Sequence, residues 1–75
     1  MHKIPVFLSD KEAVSKFVDI IKKFEYHCDL CCGNYAVDAK SLVGVAPLRG
    51  APNLELIIHS EKPDKLIQSI EQYCC

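Results

Sequence analysis

The stretch Val37-Asp38-Ala39-Lys40-Ser41-Leu42-Val43-Gly44-Val45-Ala46-Pro47-Leu48, running on through Asn53 to Ser60, decides how this chain is read. Alternation of residue types gives way to a compact apolar cluster and then resumes. That pattern predicts the end of a strand, a short apolar helix, a glycine-containing connection and a second strand. Ser41 stands where a helix N-cap is needed, since its hydroxyl can accept one of the unpaired backbone N–H groups of the following turn. Pro47 lacks an N–H and restricts the residue before it, so the short helix is expected to end by Ala46.

Working outward, Lys3 to Leu8 is short and apolar with Pro5 inside it, which suits an edge strand. Ser9-Asp10-Lys11-Glu12 has the form of a capping box, with Ser9 as the N-cap. The helix it opens carries Ala13, Val14, Phe17, Val18, Ile20, Ile21 and Phe24 at helical spacing, with lysines mostly on the other side. Glu12 with Lys16, and Asp19 with Lys23, stand at the i,i+4 spacing expected of ion pairs. His27 to Cys32, Gly33-Asn34 and Tyr35 to Lys40 read as a hairpin with a glycine-dependent turn. In Asn53 to Ser60, Leu54, Leu56 and Ile58 share one face and Glu55, Ile57 and His59 the other. Pro63-Asp64 opens a last helix with a stripe of Leu66, Ile67, Ile70, Tyr73 and Cys74. The order βαββαβα predicts an α+β domain spanning residues 1–75: a four-stranded antiparallel sheet with helices on one face. A ferredoxin-like domain such as an ACT module shares the βαββαβ core and is the competing architecture.

The bulk numbers narrow the function classes. At 75 residues with 49% hydrophobic content the chain can build one small core, to which nearly every apolar residue must contribute. A net charge of −1, from 9 basic and 10 acidic residues, offers no electrostatic footprint for nucleic acid or an anionic membrane. Residues 1–5 show no long apolar run of the signal-peptide kind, so a cytoplasmic location with reduced cysteines is expected.

Residues 37–48, VDAKSLVGVAPL, resemble the region around the regulatory serine of HPr, the histidine-containing phosphocarrier protein of the bacterial sugar phosphotransferase system. That family usually reads V-N-x-K-S-[IL]-[ML]-G-[VL]-x-x-L here, and Lys40, Ser41, Leu42, Gly44, Val45 and Leu48 fall in register. The likeness extends at decreasing strength from about Ala13 to Tyr73. It implies an HPr-like open-faced β-sandwich, which the short helix after Ser41 favours over the ferredoxin-like alternative. The family's second signature, G-[LIVM]-H-[AT]-R-P-A, is absent, because the chain passes directly from Phe7-Leu8 to Ser9-Asp10-Lys11-Glu12-Ala13.

A phosphohistidine needs an imidazole at a helix N-terminus, where unpaired N–H groups and the macrodipole stabilise the phosphoryl charge. By the resemblance, Asp10 holds roughly the position of the lost phosphohistidine and Glu12 lies near that of the family's arginine. No phosphoenolpyruvate-dependent phosphorylation is expected there. An acidic residue in that place complements the helix dipole. In many HPr-like proteins of Gram-positive bacteria the serine of this motif is the target of a dedicated kinase. Ser41 is therefore the candidate for regulatory phosphorylation, set against its plain reading as a helix cap. Leu42, Val43 and Ala46 match apolar positions that in relatives belong to a docking surface, so they are the candidates for binding a partner protein. The implied partners are phosphotransferase-system components or an HPr kinase-like regulator. The expected function is that of a non-catalytic regulatory or protein-binding domain, not an enzyme. The alternatives are a phosphocarrier using an unrecognised histidine and a cysteine-based metal or thiol module.

No cofactor or metal is expected. Cys28, Cys31 and Cys32 with His27 look like a metal cluster in print, but on a strand Cys28 and Cys31 point to opposite faces. Cys28 and Cys32 share a face yet lie about 13 Å apart at roughly 3.3 Å per residue. A zinc knuckle needs its CxxC in a turn and a second ligand pair, for which Cys74-Cys75 is the remaining source. A thioredoxin-like role needs a CxxC that opens a helix. Cys28 and Cys74 are expected to be core residues, and Cys31 and Cys75 exposed thiols. His59 reads as a half-buried polar residue at a strand end, and none of His2, His27 and His59 stands at a helix start.

Overall fold

The computed structural model describes residues 2–75, with Met1 outside the described residues. Four strands, β1 (His2–Val6), β2 (His27–Cys32), β3 (Tyr35–Asp38) and β4 (Leu54–His59), alternate with three α-helices, α1 (Lys11–Lys22), α2 (Leu42–Val45) and α3 (Asp64–Ser69), in the order βαββαβα. Single 3₁₀ turns follow α2 at Ala46–Leu48 and α3 at Glu71–Tyr73.

The sheet order is β1-β4-β2-β3 and every neighbouring pair is antiparallel. The strand inserted between β1 and β2 is thus β4, where a ferredoxin-like sheet would insert β3. One face carries Val6, Cys28, Leu30, Leu54, Leu56 and Ile58, all buried, and meets Val14, Phe17, Val18 and Ile21 of α1 and Leu66 of α3 in a single core. The other face, with His27, Asp29, Cys31, Glu55, Ile57 and His59, is exposed or half-buried and carries no helix. Phe17 packs edge-on against Tyr73, with ring centroids 5.7 Å apart, so the C-terminal turn is fastened to the middle of α1.

Local chemistry explains the boundaries. Cys32 pairs with Tyr35 across a two-residue turn in which Gly33 has φ +62°, a conformation that glycine adopts without a steric penalty. β1 and β3 are displaced or shorter than the patterns suggest, because Phe7-Leu8 leaves the ladder and Ala39-Lys40 forms a turn.

Two corrections concern the helix ends. The N-cap of α1 is Asp10, not Ser9: the Asp10 backbone is extended, its carboxylate Oδ1 accepts the Ala13 N–H at 2.8 Å, and its carbonyl accepts that of Val14. The last helix does not carry its stripe through to Cys74. After Tyr73 the backbone becomes extended, and Cys74 forms an antiparallel bridge with Val6. Phe7 N–H donates to the Tyr73 carbonyl at 2.8 Å and Cys75 N–H to the Pro5 carbonyl at 3.0 Å. The tail therefore covers the free edge of β1, an edge that Pro5 already prevents from pairing fully.

Candidate functional site

Three places in this fold carry chemistry-bearing side chains: the α2 turn, the start of α1 and the open face of the sheet.

The α2 turn is built as its residues dictate. Ser41 is half-buried in extended backbone, and its Oγ accepts the Gly44 N–H at 3.2 Å while its carbonyl accepts the Val45 N–H at 2.9 Å. A Cβ at Gly44 would stand 3.4 Å from both Ser41 Oγ and Val37 Cβ, in ordinary van der Waals contact with the cap and with β3. The α-helical backbone ends at Val45 and tightens into a 3₁₀ turn at Pro47. Val45 and Leu48 point into the core, and Ala46 is half-buried against it. Leu42 is 46% exposed and Val43 85% exposed. Of the three apolar positions singled out from the sequence, then, two form an outward pair and the third supports the turn from below.

Lys40 anchors this turn to the rest of the fold. Its Nζ donates to the Phe24 carbonyl at 2.7 Å, just past the end of α1, and its backbone N–H donates to Asp38 Oδ1 at 2.9 Å. A cation at the carboxyl end of a helix complements both the unpaired carbonyls and the dipole.

At the start of α1, Asp10 is exposed and its carboxylate is engaged in capping. Asp10, Glu12, Ala13, Lys16, Gln72 and Tyr73 line a shallow open depression. Glu12 Oε1 and Lys16 Nζ pair at 2.9 Å, and that hydrogen bond and charge raise the Lys16 pKa. An acidic N-cap and an acidic first-turn residue both complement the positive end of the α1 dipole. His2, His27 and His59 all lie in strands, away from this helix start.

The cysteines do not converge. Cys28 and Cys32 share the core face and Cys31 the open face, as strand alternation requires. Cys28 is fully buried, and burial pushes its thiol pKa up. Cys74 is half-buried against the core and is raised for the same reason. Cys31 is half-buried rather than exposed, leaving Cys75 as the exposed thiol.

What sequence reasoning missed lies on the open face. His27 and His59 are directly opposed in the β2/β4 register, and Asp29, two residues along β2, lies between their rings. His27 Nε2 is 3.2 Å from one Asp29 carboxylate oxygen and His59 Nε2 is 3.0 Å from the other, with the ring centroids 5.2 Å apart. The printed proximity of His27 to the cysteines pointed the wrong way, because its structural partner is thirty residues beyond Asp29 in the chain. Knowledge of the strand order was the missing signal.

No family model matches the chain, and no curated protein matches its sequence. The fold is similar to the crystal structure of HPr-C-His from Thermoanaerobacter tengcongensis, with a TM-score of 0.76 and 19% sequence identity over 96% of this chain and 89% of that one. The chain therefore has an HPr-like fold.

Proposed function

We propose that this chain is a non-catalytic protein-binding domain of HPr-like architecture, which docks a partner protein through Leu42 and Val43 and is regulated by phosphorylation of Ser41. The observation that carries the reading is the outward pair on α2: two adjacent apolar side chains, 46% and 85% exposed, on a turn whose next residues are held in the core. Adjacent exposed apolar side chains on a rigid element favour contact with another protein surface. A phosphoryl group on Ser41 would place about −2 charges beside that pair, within reach of the Gly44 N–H, and so weaken an apolar contact. The acidic, capping Asp10 supports a domain that does not carry phosphate through the start of α1. The sequence likeness around Ser41 and the shared fold make phosphotransferase-system components, or a kinase of the HPr kinase type, the partner class to test first.

The test is intact-mass analysis after two parallel incubations, one with ATP and an HPr kinase, the other with phosphoenolpyruvate and enzyme I. The expected outcome is one phosphate in the kinase arm alone, abolished by Ser41→Ala. Phosphate in the enzyme I arm would overturn the non-catalytic reading, and an unchanged mass in both arms would reduce Ser41 to a helix cap.

A further inference from the structure

We propose that His27, Asp29 and His59 form a binding site for one divalent transition-metal ion of the zinc class on the open face of the sheet. The three side chains each offer one ligand atom, and these atoms all lie within 4.8 Å of one another. In a tetrahedral zinc site with bonds of about 2.0–2.2 Å, neighbouring ligand atoms stand roughly 3.3–3.5 Å apart. Each imidazole Nε2 faces its own oxygen of the Asp29 carboxylate, at 3.2 and 3.0 Å, and the whole set lies within 4.8 Å. Gathering it round one ion closes the widest spacing by up to roughly 1.5 Å, through rotation of the three side chains.

The ligands sit on rigid elements. β2 and β4 are the central strands of the sheet, and their register places His27 opposite His59. A site built on paired strands holds its geometry better than one on a loop. Both imidazoles turn the same nitrogen, Nε2, toward the carboxylate. On metal binding each neutral ring carries its proton on Nδ1 and offers the Nε2 lone pair.

Charge favours the same occupant. Asp38 of β3 stands directly opposite Asp29 in the ladder, on the same open face. Like charges directly opposed across strands are unfavourable, and a bound cation relieves that repulsion. Two imidazoles and a carboxylate suit zinc and its neighbours in the transition series rather than magnesium or calcium, which prefer all-oxygen shells. The His27 and His59 side chains are 64% and 38% exposed, so the fourth position opens to solvent and is free to take water or a donor from another molecule. The ion would bridge the first residue of β2 to the last of β4 and clip one end of the sheet.

The five cysteines are the competing ligands, so the test must separate them. The full chain, kept reduced with a non-thiol reductant, is titrated with zinc, with cobalt as a spectroscopic probe and magnesium as a control. The expected result is one zinc per chain, a rise in thermal midpoint on binding, shifted imidazole ¹⁵N resonances for His27 and His59, and a cobalt spectrum without thiolate charge-transfer absorption. His59→Ala and Asp29→Asn should each weaken zinc binding at least about tenfold. His27→Gln, at the most exposed of the three positions, repeats the test with the least risk to folding. Zinc bound equally by wild type and variants, a thiolate-type cobalt spectrum, or no zinc uptake by the folded protein would each overturn the assignment.

Discussion

Lys40 Nζ donates a 2.7 Å hydrogen bond to the carbonyl of Phe24, joining the turn before α2 to the end of α1 across sixteen residues of chain. The lysine of the Lys40-Ser41 pair is thereby a structural tether for the turn, whatever its neighbour does. Lys40→Met should destabilise the domain by about 1.5–3 kcal/mol, the range for a hydrogen bond made by a charged group. Urea unfolding should show a lower midpoint with an unchanged slope, and Lys40→Arg should recover part of the loss.

Asp10 caps α1 through the Ala13 N–H, and Ser9 does not. Asp10→Ala should therefore cost about 1 kcal/mol and lower the thermal midpoint by roughly 4–8 °C. Asp10→Ser should stay close to wild type. Ser9→Ala should change little, and a loss at Ser9 equal to that at Asp10 would contradict the assignment of the cap.

Val43 and Val45 are two residues apart and belong to different environments, 85% exposed against fully buried. Val43→Ser should leave stability within about 0.5 kcal/mol of wild type, whereas Val45→Ala should cost about 2 kcal/mol through lost burial and a residual cavity. A partner that docks on α2 should lose affinity with Val43→Ser although the fold is unaltered. Thermal unfolding beside a binding titration separates the two effects.

The thiols should react in order of access. Alkylation of the native protein, mapped by peptide mass, should modify Cys75 first and leave Cys28 untouched until the domain unfolds. The pH dependence follows from the same burial. Cys28 and Cys74 have folded pKa values raised above the ordinary 9.0. Their protons are released at the ordinary value in the unfolded chain and are retained in the folded one. Their contribution to stability is therefore complete below about pH 9 and is lost as pH rises through the folded values. Urea midpoints should hold up to about pH 9 and fall above it, and replacing Cys28 by Ala should flatten that slope.

The sequence by itself determined what depends on residues a few positions apart. The alternation in Leu54–His59, the helical stripe of α1, the glycine turn at Gly33 and the Ser41 cap all follow from local periodicity and from hydrogen bonds spanning two to four residues. Even the shift of the α1 cap from Ser9 to Asp10 is a one-residue choice between two good cap formers. The β2/β3 pairing follows from the Gly33 turn, but tertiary structure alone decided where β1 and β4 lie in the sheet. Inserting β4 between β1 and β2 set His59 against His27 and Asp29, and sent the tail at Cys74 and Cys75 along β1 instead of onward as helix. Such pairings are chosen by burying one whole face of each strand and satisfying its backbone groups at once, and that choice is a property of the assembled sheet.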